Sequence, residues 1–395
     1  MKRLMIVGAS ILQLPAIVKA KDMGYYVAVV DYNPEAVGIK YADKYYNAST
    51  IDENQVLEAA LDFKPDGIMT LATDMPMRSV ALVAERMRLP GIPYEVAVKA
   101  TDKYRMTLAF KQNNVPSPWF CLVTSKEDLY SLSSSVSFPC IMKPTDNAGS
   151  KGVVKIESYD ELIEKYEYSH SCSRSGNVII QEFLEGDEVS VEMMIVAGTP
   201  HVLQITDKLT TGEPYFVELG HNQPSILPHD TQAQIRDVAV RACAAIGIDN
   251  GPAHVEMKIA PNGIPKMVEL GARMGGDNIT TALVPLSTGI DMVQATIQMA
   301  LGIEPNLLPS QSRSSAIRYI CADTSGKLKS ICGYDDVVAM DGVKQLAFTK
   351  SIGDEVSEIR CSNDRIGFVI SQADSVEEAI QICEKAKRKI ILEIE

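Results

Sequence analysis

The chain has 395 residues, room for two or three domains with ample cores. Its 46% apolar and 23% charged content is that of an ordinary globular protein, not a disordered or fibrous one. The net charge of −13 argues against a nucleic-acid partner, which needs a basic face, but leaves an anionic small ligand open.

No apolar run approaches the roughly 18 residues of a membrane span. Met1-Lys2-Arg3 followed by Leu4 to Val7 mimics a signal peptide, but Pro15 interrupts any longer apolar core. A short first strand ending in a glycine turn fits better. The eight cysteines are scattered without a Cys-x-x-Cys pair, which reads as reduced thiols in a cytoplasmic protein.

Residues 3–8 read as a buried strand, followed by Gly8-Ala9-Ser10 and a helix from Pro15 to Met23. Strands at Tyr26 to Val30, ending in Asp31, and at Gly67 to Leu71 precede a helix from Met77 to Met87. Strands alternating with helices predict a parallel, doubly wound sheet. Asp31 invites a dinucleotide reading, but the segment after Gly8 lacks the second and third glycines of that fingerprint.

A helix near Thr101 to Asn113 carries Asp102-Lys103 at its start. A strand (Trp119 to Val123), a helix (Ser125 to Ser133) and the strand Cys140 to Lys143, closed by Pro144, come next. The small-residue loop 146–153 contains Ser150, Lys151 and Gly152. Such a loop lets backbone N–H groups close on an anion, or it is a plain hairpin tip. A helix at Tyr159 to Tyr168, a strand at Val178 to Phe183, and a hairpin of Val189 to Val196 with His201 to Ile205 follow. Asp230 to Ile246 is an amphipathic helix.

Two alternating runs then flank Asn262-Gly263, a strong hairpin signal. A two- or four-residue loop pairs residues whose numbers sum to 525, which sets Glu256 opposite Glu269. A three-residue loop would shift the sum to 524 and turn Glu269 toward the apolar side. The pattern therefore predicts the sum 525, with Val268 and Leu270 sharing one face and Met267 and Glu269 the other. Facing carboxylates about 5 Å apart repel unless something positive lies between them. A divalent metal would serve, because Mg²⁺ takes one or two carboxylates plus substrate phosphates. A solvated acidic face offset by Lys258 or Lys266 also fits. The tail holds a helix from Asp291 to Leu301, a linker-like stretch 305–315, a strand at Ile366 to Ile370, and a closing helix from Ser375 to Lys389 capped by Ser375.

In this order the segments resemble an ATP-grasp carboxylate–amine ligase over essentially the whole chain. The resemblance implies a mixed α/β and α+β fold with four parts. They are a doubly wound N-terminal domain (1–100), a linking helix and lid domain (101–185), a central ATP-binding domain (186–304) and a small C-terminal subdomain (305–395). It implies ATP, with Mg²⁺ or Mn²⁺, as cofactors. Lys103 and Lys143 would neutralise the triphosphate, with Ser150, Lys151 and Gly152 in the lid loop. Glu182, Phe183, Leu184 and Glu185 would hold adenine and Glu188 the ribose. Glu256 and Glu269 would bind the metal, and Arg273 would sit at the reacting phosphate. Lys208, His221 and His254 are further candidates, His254 for a catalytic role because it shares the Glu256 face. The family pattern has Asn where this chain has Gly271, which removes an oxygen ligand, favours one ion over two and leaves room for substrate.

Met274-Gly275-Gly276-Asp277 resembles the branch that joins amino acids or similar acids to amines, the L-amino-acid ligases. Partners would then be a small carboxylate and an amine, without nucleic acid or membrane, in a possible homodimer. A purine-pathway ligase acting on a phosphoribosyl amine and a non-catalytic nucleotide-binding regulator are the alternatives. An NAD-dependent oxidoreductase is a third, disfavoured by the incomplete glycine fingerprint.

Overall fold

The computed structural model describes residues 1–132, 135–149 and 151–395. Near the N-terminus, β1 (Arg3–Val7), β2 (Tyr26–Asp31), β3 (Lys44–Asn47) and β4 (Gly67–Met69) form a parallel sheet in the order β3-β2-β1-β4. Helix Leu14–Asp22 packs on one face through Ala16 and Ile17. Helices Glu53–Phe63 and Met77–Met87 cover the other face with Val56, Phe63 and Val83. Strand β3 and helix Glu53–Phe63 were not anticipated, although Asp52 caps that helix by accepting from the Asn54 and Gln55 N–H groups.

Next come β5 (Phe120–Val123), β6 (Cys140–Pro144), β7 (Val154–Ile156) and β8 (Val178–Glu182), an antiparallel sheet ordered β5-β8-β6-β7. Its core of Val123, Met142, Leu162 and Ile180 is closed by helix Tyr159–Ser171. Ser150, expected at the phosphates, lies outside the described residues.

The large sheet is built first from β9 (Asp187–Val196), β10 (Thr199–Thr210), β11 (Glu218–Gln223), β12 (Gly251–Ile259) and β13 (Pro265–Gly271). The chain then adds β14 (Ser314–Ile320), β15 (Gly326–Cys332), β16 (Val343–Phe348), β17 (Glu355–Val356), β18 (Gly367–Ala373) and β19 (Ile391–Ile394). Eight of these strands form one sheet, β13-β12-β9-β10-β11-β14-β18-β16, so segments on both sides of residue 305 share a sheet through the β11–β14 pairing. Strands β17, β15 and β19 form a small separate sheet. Helix His229–Ile246 buries Ile235, Ala239 and Ile246 against β9, β12 and β13. Among the described residues no helix is long and apolar enough to cross a membrane.

The β12–β13 hairpin departs from the expected turn. Ala260 donates its N–H to the Ile264 carbonyl at 3.0 Å, and Gly263 takes a left-handed φ of 80°. Near this turn the pairs are Ile259–Pro265, Lys258–Lys266 and Met257–Met267, whose numbers sum to 524. Val268 is then bulged out, and Glu256–Glu269, Val255–Leu270 and His254–Gly271 return to 525. The bulge exists because a one-residue slip would otherwise turn Glu269 into the core. Met267, expected beside Glu269, instead joins Met257 and Leu270 in the core. Val268, expected to share the core face, is only half-buried.

Leu270→Ala is expected to destabilise the chain by about 2–5 kcal/mol through the cavity it leaves. Ile264→Ala, on the exposed turn, should change stability by less than about 0.5 kcal/mol. Urea unfolding of both variants checks the contrast.

Candidate active site

A cleft of about 1020 Å³ opens between the small antiparallel sheet and the large one. Lys103, Lys143, Lys151, Glu182, Phe183, Leu184, Glu188, Lys208, Glu256 and Glu269 all line it. Arg273 and His254 line the neighbouring cavity instead, and two residues expected at the nucleotide, Gly152 and Glu185, do not line the cleft. Gly152 is buried, and a Cβ there would stand 2.7 Å from Cys172 and 2.8 Å from Pro144, so it serves packing beneath the loop. Glu185 is exposed beyond the cleft.

Glu256 and Glu269 face each other across β12 and β13, and each already holds a cation. Lys103, placed by the helix that Asp102 caps, donates to Glu269 Oε1 at 2.7 Å and to the Asn147 carbonyl at 2.7 Å. Lys208, on β10 and only 4% exposed, donates to Glu256 at 3.2 Å, pairs with Glu188, and lies 3.6 Å from Glu218. The lysines offered from sequence to offset the acids do other work. Lys266 pairs with Glu182 at 2.8 Å, and Lys258 lies over the Phe183 and Phe216 rings. Burial alone would push the Glu256 carboxyl toward its neutral form, but Lys208, His254 and Arg273 hold it well below the usual carboxylate range. Burial opposes the Lys208 charge too, yet the three glutamates around it raise its pKa well above normal.

Lys143 differs. It sits one residue before the end of β6, inside the cleft and 7% exposed, with no carboxylate within ion-pair distance among the described residues. Burial lowers its pKa from 10.5 to about 8, only partly opposed by the field of Glu269. A buried ammonium with no carboxylate beside it favours the approach of an anion.

His254 stands next to the acid pair. Its Nδ1 meets Glu192 Oε1 at 2.7 Å and its Nε2 meets Glu256 Oε1 at 3.1 Å. Burial disfavours its charge, but the Glu192 carboxylate and the bond to Glu256 raise its pKa to about 9, so the ring is an imidazolium at neutral pH. Glu192 is fully buried, and its other oxygen has no hydrogen-bond partner. Arg273 is clasped by Asp74, Nε to Oδ1 at 2.9 Å and Nη2 to Oδ2 at 2.7 Å. Gly271 does not leave the room expected for substrate, because a Cβ there would lie 2.6 Å from Asp74 Oδ1.

A second cavity, of about 1220 Å³, meets the cleft at Glu256 and Glu269. His221 lines it, 1% exposed, with neither ring nitrogen hydrogen-bonded and Asp277 Oδ2 3.7 Å away. Asp277 and Glu218, also on its wall, are both bridged at 2.9 Å by Arg365, which covers the Tyr319 ring. Asp74, Glu192 and Arg365 escaped the sequence reading. Only Glu192 left a trace there, an acid inside the apolar run Val191 to Val196.

The N-terminal glycine turn holds no phosphate cradle. Gly8 N–H donates to the Val30 carbonyl, Ala9 N–H to Asp31, and Ser10 N–H to Gln13. With those donors spent internally, the nicotinamide reading fails.

A lysine-lined cleft between two sheets, ending at paired carboxylates, is the arrangement of nucleotide-dependent enzymes of the two-sheet grasping kind. Residues 136–282 match the ATP-grasp domain, and residues 318–395 match the L-amino acid ligase C-terminal domain 2. The chain thus carries an ATP-grasp domain and a C-terminal domain of the L-amino acid ligase type. It is similar to alanine–anticapsin ligase of Bacillus subtilis (strain 168), 27% identical over 314 residues, 74% of this chain and 66% of that protein. Carnosine synthase 1 of Homo sapiens is 25% identical over 344 residues, 79% of this chain but 41% of its own length. The chain thus spans about two thirds of the first relative and under half of the second. Among solved structures, an L-amino acid ligase from Bacillus licheniformis superposes with a TM-score of 0.87 at 23% identity, covering 100% of this chain and 99% of that one. Phosphoribosylglycinamide synthetase from Anaerococcus prevotii gives 0.81 at 24% identity, with both chains covered fully.

Because Lys143 is partly neutral near pH 8 and a bound phosphate raises its pKa, ADP binding at that pH is expected to take up a fraction of a proton. Calorimetry in buffers of different ionisation enthalpy measures it. Lys143→Met should abolish the uptake and weaken ADP by about tenfold or more; unchanged uptake in that variant would place the cation elsewhere.

Proposed function

We propose that this chain is an ATP-dependent ligase that joins a carboxylate, an amino acid or related small acid, to an amine through an acyl phosphate, releasing ADP and phosphate. One observation carries the reading: the acid pair Glu256–Glu269 stands where the cleft with Lys143 meets a second, polar cavity. ATP in the cleft would present its γ-phosphate to an acid held in the second cavity. Adenine would lie along Glu182, Phe183 and Leu184, near Phe216.

The acid pair fits Mg²⁺, which uses one or two carboxylates with substrate phosphates. Among the described residues no group of three metal-ligating side chains converges, so a single ion completed by phosphate suits the donor set better than two. Such an ion would neutralise charge on the transferring phosphoryl group. Lys103 and Lys208 would exchange their carboxylate partners for phosphate oxygens. Arg273 adds a fixed positive charge at the same place, and preorganised charge is the main source of rate in phosphoryl transfer. The imidazolium of His254 keeps Glu256 ionised and oriented. Closing the loop that carries Lys151 would exclude water, which otherwise hydrolyses the acyl phosphate.

The match to the L-amino acid ligase C-terminal domain and the similarity to alanine–anticapsin ligase support this reading over the purine-type ligase. The eight cysteines are all free, which supports a cytoplasmic setting.

Phosphate release with ATP and Mg²⁺ is expected to require both an acid and an amine from a matrix of amino acids and small carboxylates, with ADP as the other product. AMP and pyrophosphate would overturn the mechanism, and nucleotide binding without turnover would favour a regulator. Glu269→Gln should abolish turnover with the fold intact. It should not stabilise the free protein, because Lys103 already neutralises that carboxylate. Circular dichroism and thermal melting separate loss of activity from loss of fold.

A further inference from the structure

Arg273 reaches the site from the end of β13, while Asp74 comes from the N-terminal domain, in the loop between β4 and helix Met77–Met87. Both side chains are mostly buried, and the two carboxylate oxygens meet two guanidinium nitrogens in a fork. This bidentate geometry fixes orientation as well as charge. The remaining nitrogen, Nη1, donates to the Met274 carbonyl at 3.2 Å. All three nitrogens are thus engaged, and the side chain cannot swing without breaking the fork.

Two further observations show that the surroundings are built around this contact. Gly271 is not in a left-handed conformation, so nothing in its backbone calls for glycine. A Cβ there would lie 2.6 Å from Asp74 Oδ1, 2.9 Å from Arg273 Nε and 3.0 Å from Arg273 Cζ. Glycine is needed for space alone, and the fork fills that space. On the other side, Ala72 holds a φ of 58°, a left-handed value that a residue with a side chain adopts at a cost. The strained loop brings Asp74 to the junction where the second cavity meets a smaller one of about 560 Å³.

We propose that Asp74 is the positioning residue for Arg273: the N-terminal domain clasps the arginine across the domain boundary and aims it at the transferring phosphoryl group, and Gly271 is present to admit the clasp. The aim at phosphate rests on the ligase reading above; the clasp itself does not. A loosened Arg273 would still favour ATP through its charge but would miss the geometry of the transition state.

The test uses the full-length protein and the acid–amine pair that gives the fastest phosphate release. Asp74→Asn should lower kcat by about 100-fold, while KM for ATP stays within about threefold. Gly271→Ala should cause a similar loss in the wild-type background. It should add less than about twofold once Asp74→Ala has removed the clasp, because independent effects add and shared ones do not. An unchanged kcat in Asp74→Asn, a loss confined to KM, or an undiminished Gly271→Ala effect in the double variant overturns the proposal. Thermal unfolding of Asp74→Ala, Arg273→Ala and their double variant should be non-additive whether or not a substrate is known. Additive unfolding refutes the clasp. A non-additive result with no turnover on any substrate pair refutes the ligase reading and with it the aim at phosphate.

Discussion

Two like charges held opposite each other set the terms for the active site. Glu256 and Glu269 cannot stand across a hairpin at this burial unless cations meet them. Lys208 and Lys103 do so from different elements, one from β10 and one from the helix start beside residue 102. A buried charge without its partner is costly, so the pairing holds the strand, the helix and the hairpin to one arrangement. In the proposed ligase the same cations would meet the triphosphate, so an incoming nucleotide would exchange partners instead of creating a new charged site.

Around that centre the charges alternate in sign. Glu192 supports His254, His254 touches Glu256, Lys208 gathers Glu188, Glu218 and Glu256, and Arg365 bridges Glu218 to Asp277. Lys143 stands outside this pattern with its pKa depressed to about 8. Lys143 lines the cleft without an ion pair among the described residues, and His221, on the second cavity, has neither ring nitrogen hydrogen-bonded among them.

The N-terminal sheet is parallel, in the order β3-β2-β1-β4. Its glycine turn spends the amides on Val30, Asp31 and Gln13, and its contribution to the site comes instead from Asp74 at the far end of β4. At the other end of the chain, Arg365 reaches in from the loop before β18. Residues from three regions distant in sequence thus line one cavity system.

Much of this was legible in the chain itself. Alternation placed β12 and β13, apolar patterning placed the helices Met77–Met87 and His229–Ile246, and Ser375 marked the start of the closing helix. The pairing of Glu256 with Glu269 follows from local register, because a one-residue slip flips every side chain of a strand. Spacing did not reveal how that register is reached. The turn is the three-residue one, and a bulge at Val268 corrects it, since packing of Met267 outweighed the simple alternation. Nor could spacing reveal Asp74, Glu192 and Arg365, or which lysines meet the acids. Lys258, Lys266, Lys103 and Lys208 look alike in sequence, and only the closing of sheets and domains chooses among them. Local periodicity reports what a segment does with its own neighbours; a charge finds its partner through contacts up to 199 residues apart, and those exist only in the folded chain.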